Sequence, residues 1–237
     1  MTENSGLKVA VFAYDFEHWK TQQGIQNLFL VGRKPSVIFA APRVELSFYR
    51  SKIRTSPRDL FLHHPKDIAD RYNIDYYSLP HNTQETSSLV KQYDLDLGII
   101  LGARILKPIV IDQFKIGVLN MHPGILPENR GLDTIKWAIN DKIPQGVTTH
   151  LINGQIDRGL LVEKRQIQIY EDDTLLDLQL RIQHLEQRMM LDALELLEKK
   201  GTQDLKELPK GKYNRSMPPE VESELIDTFE RYKAGMK

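Results

Sequence analysis

The sequence predicts an α/β fold: a Rossmann-like, doubly wound, mostly parallel sheet with a short C-terminal helical extension. Three observations carry this. Residues 7–12 (LKVAVF), 35–41 (PSVIFAA) and 97–101 (LGIIL) are short apolar runs, and helical patterns separate them. Strands that are apolar on both faces belong to a sheet covered by helices on each side, whereas half-exposed antiparallel strands alternate. At 237 residues the chain is long enough for one large domain with its own core and a small appendage.

The elements follow in order. Leu7 to Phe12 is the first strand, Gln22 to Gly32 a helix stopped by its glycine, and Pro35 to Ala41 the second strand. Arg43 to His64 is charged and irregular, a long loop; Pro65 to Tyr72 is a helix with proline at its start. Ile74 to Leu79 is a strand ending in the turn Pro80-His81-Asn82, and Thr86 to Tyr93 is a helix. After the strand 97–101, Pro108 opens a helix to Phe114, and Val118 to Met121 is the next strand. Gly146 to Ile152 and Leu160 to Ile169 are β-rich and flank the turn-like Asn153-Gly154, so they are expected to pair antiparallel. From Thr174 to Lys199, Leu175, Leu178, Ile182, Leu185 and Met189 recur at helical spacing. That pattern also suits a coiled-coil seam, but Leu176, Leu180, Met190 and Leu194 widen the stripe and favour a helix packed on the sheet. Gly201 to Ser216 is polar and reads as a linker; beyond it Val221, Leu225, Phe229 and Tyr232 give a small helix one apolar face. The expected division is therefore a main domain over 1–200 and a linker with helix over 201–237.

Composition narrows the function classes. The 32 basic residues balance 32 acidic ones, so no net field draws the chain to nucleic acid or an anionic membrane. With no cysteine, disulfides, thiolate nucleophiles and cysteine-held metals are excluded, and no metal is expected. The N-terminal stretch lacks the basic start of a signal peptide and no apolar run reaches membrane-spanning length, so a cytoplasmic location is expected. The first strand runs into Ala13-Tyr14-Asp15-Phe16 with no G-x-G-x-x-G, and no Walker A sequence occurs, which argues against tight NAD or P-loop nucleotide binding.

The most specific stretch is VLNMHPGILP, residues 118–127. Asn120 and His122 lie two apart and share one face of an extended chain. In a doubly wound sheet ligands sit beyond the carboxyl ends of strands, so an amide and an imidazole would converge there on one small volume. The turn that follows leads to Asp133, a candidate cap for a helix over Thr134 to Asn140. Further on, Gly154-Gln-Ile-Asp157-Arg-Gly159 sets an aspartate in a glycine-flanked turn. Taken singly, His122 could be satisfying backbone groups and Asp157 serving a turn.

Together these segments resemble the formyltransferases that use 10-formyltetrahydrofolate, a superfamily that includes glycinamide ribonucleotide transformylase, methionyl-tRNA formyltransferase and the sugar N-formyltransferases. The resemblance spans roughly Leu95 to Lys200. It rests on the order Gly102-Ala-Arg-Ile-Leu106, Asn120-x-His122-Pro123, Leu126-Pro127, Arg130-Gly131, Trp137-Ala138, Gly146-Val-Thr-Thr-His150 and Asp157-x-Gly159. It implies that Asn120, His122 and Asp157 are the catalytic trio, with His150 in support. It also implies that 10-formyltetrahydrofolate lies along Arg104, Ile105 and Leu106 and against Ile152, Asn153 and Ile156, and that the Leu126-Pro127 bond is cis. Two positions depart from the pattern: Gly124 stands where serine is common, and Arg158 where threonine often follows the aspartate.

The acceptor amine is less constrained. Glycinamide ribonucleotide enzymes carry a glycine-rich first loop for phosphate, whereas Ala13 to Trp19 is acidic and aromatic. The tRNA-acting members carry a larger C-terminal module, whereas here about one helix follows. By resemblance the expected acceptor is therefore a nucleotide-linked amino sugar of the 4-amino-4,6-dideoxy type. Tyr14, Phe16, Trp19, His81 and Asn82 are candidate contacts to base or sugar, and Arg50, Lys52, Arg54 and Arg130 to the diphosphate. The other readings are formyl transfer to glycinamide ribonucleotide or aminoacyl-tRNA, a formyltetrahydrofolate hydrolase, or a folate-binding relative without turnover. The expected partners are small molecules, with no nucleic acid or membrane; a homodimer is left open.

Overall fold

The computed structural model describes residues 6–45, 49 and 51–235. Its strands and helices, in chain order, are β1 (Val9–Tyr14), α1 (Trp19–Leu30), β2 (Val37–Ala41), α2 (Pro65–Tyr72), β3 (Asp75–Ser78), α3 (Gln84–Gln92), β4 (Leu97–Ile100), α4 (Pro108–Ile111), β5 (Gly117–His122), β6 (Arg130–Gly131), α5 (Thr134–Asp141), β7 (Gly146–Ile152), β8 (Gly159–Gln166), α6 (Leu175–Lys200), β9 (Lys206–Glu207), β10 (Tyr213–Asn214), α7 (Pro219–Ser223) and α8 (Leu225–Gly235).

One eight-stranded sheet runs β3-β2-β1-β4-β5-β7-β8-β9. The pairs from β3 to β5 are parallel, and β7, β8 and β9 continue the sheet antiparallel. The apolar runs explain the parallel half. Along β1 the side chains of Val9, Val11 and Ala13 enter one core with α1, α2 and α6, while Ala10 and Phe12 enter a second core with α3 and α4. A strand that must fill both cores has no polar position to spare. Strand order reverses direction between β1 and β4, and this switch point opens a crevice at their carboxyl ends.

Helix α6 starts in a reciprocal capping box between Thr174 and Asp177 and buries Leu175, Leu178, Ile182, Met189, Met190, Ala193, Leu194 and Leu197. The wide stripe packs on the sheet, as its sequence indicated. No helix among the described residues is long and apolar enough to cross a membrane.

Several local expectations change. Helix α1 begins at Trp19, three residues before the expected Gln22, and α4 is a single turn. Asp133 does not cap α5. Its backbone is left-handed at φ 50°, and its carboxylate instead accepts the Met217 N–H at 2.8 Å and faces Lys136 at 3.4 Å. The stretch 201–216 carries two short strands: β9 extends the sheet edge beside β8, and β10 forms a separate parallel ribbon with β6. The C-terminal helix is broken at Glu224 into α7 and α8, with Leu225, Phe229 and Tyr232 buried as the apolar face required.

Candidate active site

Strand β5 delivers Asn120 and His122 to the crevice, and β7 lies antiparallel beside it with Asn120 opposite His150 and His122 opposite Thr148. Asp157 comes from the β7–β8 connection, in a left-handed backbone at φ 47°. Its carboxylate meets His122 Nδ1 at 3.3 Å through Oδ1 and accepts the Gly131 N–H at 2.6 Å through Oδ2. On the other side of the ring, His122 Nε2 lies 2.8 Å from the Asn129 carbonyl. Both neighbours of His122, the Asp157 carboxylate and the Asn129 carbonyl, are hydrogen-bond acceptors.

His150 settles the orientation of Asn120. Its Nδ1 lies 3.1 Å from the Arg158 carbonyl, which can only accept, so Nδ1 carries a proton, and in the neutral ring Nε2 is bare. The 3.2 Å contact from Nε2 to Asn120 Nδ2 is therefore donated by the amide. That leaves one amide N–H of Asn120 free to face the cleft. Burial, with the nearby His122 charge adding to it, pushes the His150 imidazole down to about 4, consistent with a neutral ring. For Asp157, burial is the largest single influence and works to raise the carboxyl. The contact and charge of His122, the Gly131 N–H and His150 together outweigh it and hold the group below its usual value.

The turn after β5 is built to hold this geometry. Leu126-Pro127 is cis. Thr148 donates to the Gly124 carbonyl at 2.8 Å and accepts the Leu126 N–H at 3.0 Å; Asn129 is tied to the Thr134 carbonyl and to Asn214. A Cβ on Gly124 would lie 2.9 Å from the Asn129 carbonyl and 3.0 Å from His122 Nε2, so a serine here would crowd the bond between them. Glycine at this departure from the family pattern fits the observed turn.

Asn120 and Asp157 border a cleft of about 960 Å³. Among the sequence candidates, Tyr14, Asn82, Arg104, Ile105, Leu106, Ile152, Asn153 and Ile156 line it with Asn120 and Asp157, and His122 lies buried directly behind them. Ile105 and Ile156 are 62% and 37% exposed, apolar surface that a flat heterocycle would cover. Asn82 receives the Lys107 N–H and donates to the Ile105 carbonyl, so it shapes the 103–107 loop as well as bordering the cleft.

Other candidates lie elsewhere. His81 is buried, its Nε2 on the Phe39 carbonyl and its ring edge-on to Phe12, so packing uses it fully. Trp19 opens α1 and is not part of the lining. Arg130 is buried with its guanidinium on the carbonyls of Ile156 and Gly211, a brace for the Asp157 loop rather than a group facing the cleft. Arg158 reaches Gln155 and does not line the cleft, nor do Lys52 and Arg54; Arg50 lies outside the described residues. Arg43 is the basic residue that sequence reading passed over: it lines the cleft with its guanidinium 5.8 Å from the Phe16 ring, which stacks on Tyr14 at 4.9 Å. Tyr213 and Leu132 were also missed, the first because it sits in a segment that reads as linker. The Gly131 N–H and Asn129 carbonyl are backbone groups that carry no side-chain signal at all. Among the described residues no cluster of His, Asp and Glu could hold a metal ion.

The doubly wound sheet agrees in architecture with what the comparisons find. Residues 49–194 match the model of the family described as Formyl transferase, and the chain belongs to that family. Over 115 residues it is 28% identical to a methionyl-tRNA formyltransferase of Bacteroides fragilis, an alignment covering 48% of this chain and 36% of that protein. The chain thus spans little more than a third of the length of that curated relative. In fold it is similar to glycinamide ribonucleotide transformylase 1 from Symbiobacterium toebii (TM-score 0.63, 20% identity, 83% of this chain and 90% of the other). It is likewise similar to a sugar N-formyltransferase from Shewanella sp. FDAARGOS_354 (TM-score 0.62, 21% identity, 88% and 77%).

Proposed function

We propose that this chain transfers the formyl group of 10-formyltetrahydrofolate to a primary amine, and that the amine belongs to a nucleotide-linked amino sugar of the 4-amino-4,6-dideoxy type. The observation that carries the reading is the convergence of Asn120 and the Asp157 carboxylate, both lining one apolar-walled cleft, on the His122 ring buried beside them. The amine nitrogen attacks the formyl carbon and the carbonyl electrons move to oxygen. The free Asn120 N–H and the neighbouring His122 imidazole stabilise that oxyanion, the kind of contribution worth about 2.7–4 kcal/mol per donor. As the tetrahedral intermediate collapses, its bond to the folate nitrogen breaks. Asp157, which lines the cleft, takes a proton from the amine directly or through water, and the leaving nitrogen receives one, giving tetrahydrofolate and a formamide.

The choice of acceptor rests on the first loop. Where a phosphate would need free backbone amides, this chain places the Tyr14–Phe16 stack and the Asp15 carboxylate, the latter bonded to Tyr76 and Ser78. A stacked aromatic pair flanked by Arg43 suits a base with an adjoining diphosphate better than a lone phosphate. The test follows tetrahydrofolate release from 10-formyltetrahydrofolate with and without a panel of nucleotide-linked 4-amino and 3-amino sugars. Release that depends on the amine supports the reading; equal release without amine would make the protein a hydrolase and overturn it.

A further inference from the structure

Glu222 of α7 is 3% exposed and gathers contacts from two other parts of the chain, α5 and the connection between β2 and α2. Its Oε1 accepts from Lys136 Nζ of α5 at 2.6 Å and from the Ser51 hydroxyl at 2.5 Å. Its Oε2 accepts from the Tyr49 hydroxyl at 3.0 Å and from the Lys52 N–H at 3.1 Å. Tyr49, Ser51 and Lys52 belong to the connection between β2 and α2, whose described residues contain no helix or strand and whose first part, Arg43 and Val44, walls the cleft. A long irregular segment has few internal contacts to fix its path, so a buried carboxylate with three loop donors and a lysine counter-charge is an anchor for it. The same C-terminal segment reaches the cleft again through Tyr213 of β10, whose ribbon partner is β6 with the Gly131 N–H that holds Asp157.

We propose that Glu222 is a positioning residue for the acceptor: it ties the β2–α2 loop to α5 and α7 and so fixes the part of the cleft wall that Arg43 and Val44 form, distinct from Ile105, Leu106 and Ile152. This rests on the placement of folate along those three residues. The substrate would feel Glu222 through the position of Arg43 and Phe16, not by contact.

Two variants test it. Glu222→Gln removes the charge that also holds Lys136, while Tyr49→Phe combined with Ser51→Ala cuts loop contacts and leaves the Lys136 ion pair intact. Both should raise the rate of tryptic cleavage after Lys52 and Arg54, and raise KM for the probe amine, a thymidine diphosphate-linked 4-amino-4,6-dideoxy sugar, each by roughly tenfold. kcat and tetrahydrofolate affinity should stay within about threefold. Wild-type protection of the loop in the Tyr49/Ser51 double variant would overturn the proposal, as would folate affinity falling in step with the amine KM, which would mark a purely structural contact. If the wild-type protein does not formylate that sugar, the acceptor reading fails by itself. Tryptic cleavage and folate affinity then still decide whether Glu222 anchors the loop independently of the folate side.

Discussion

Asp157 does two jobs that one substitution can separate. Its Oδ2 accepts the Gly131 N–H, a role an amide oxygen can keep, whereas its charge facing His122 Nδ1 is lost in Asp157→Asn. That variant should fold and bind tetrahydrofolate as wild type, with turnover down roughly 10²–10⁴-fold, read by tetrahydrofolate release and by fluorescence titration. Unchanged turnover would remove Asp157 from proton transfer. His150 makes a second prediction at the same scale. In His150→Leu the Arg158 carbonyl and the Asn120 amide each lose a buried partner, and nothing fixes which way the amide points. Stability should fall by about 1–3 kcal/mol in urea titration, and kcat by more than the KM for folate rises. If kcat holds while stability drops, His150 supports the fold without orienting Asn120.

The β6–β10 ribbon is the smaller of the two sheets, and its Gly131 N–H holds the Asp157 carboxylate. Gly131 sits at φ +98°, and a Cβ there would lie 2.0 Å from the Asn214 carbonyl. Gly131→Ala must therefore push β10 away, disturbing the N–H that holds Asp157 and the packing that brings Tyr213 to the cleft. It should cost about 2 kcal/mol or more of stability and most of the activity, measured by thermal unfolding and formyl transfer. A variant with wild-type melting would show that β10 can be displaced freely. This ribbon also marks where sequence reading ended. The buried strands were legible because a strand that feeds two cores must be apolar throughout, and α6 because a 26-residue amphipathic helix repeats its pattern many times over. Spacing alone put Asn120 and His122 on one face of a strand end, whereas grouping Asp157 with them took the resemblance, and the structure sets its carboxylate 3.3 Å from His122 Nδ1. A two-residue strand has no period, and its partner lies some eighty residues away, so 201–216 reads as polar linker although it pairs with the domain. Asp133 misled for a related reason: Asp before a helix usually caps it, but here a donor from the distant Met217 won its carboxylate.

At the scale of the whole molecule, histidines held neutral inside the fold set a pH dependence whose sign can be worked out. Burial, followed by the charge of Lys20, pushes His18 down to about 4; His150 falls in the same direction, and burial also lowers His81. Between pH 4 and 6.5 the unfolded chain therefore binds protons that the folded chain refuses, so stability declines as pH falls through that window. For His18 alone the loss reaches about 2 kcal/mol by pH 5. The carboxylates act in a lower range. Burial works to raise Glu222, but Lys136, Ser51, the Lys52 N–H and Tyr49 hold it down to about 2. Its stabilisation is present above the usual glutamate value and is lost as pH falls toward that lower one. Unfolding by urea at pH 7 and at pH 5 should thus show a clear loss at pH 5 before the acid-sensitive carboxylates begin to protonate. His18→Gln should remove part of that loss while leaving the neutral-pH value within about 1 kcal/mol, since Gln can still meet the Thr21 hydroxyl that His18 Nδ1 contacts at 2.8 Å. Equal stability at the two pH values in the wild-type protein would mean that these imidazoles take up protons inside the fold, and the neutral His150 that orients Asn120 would have to be abandoned with them.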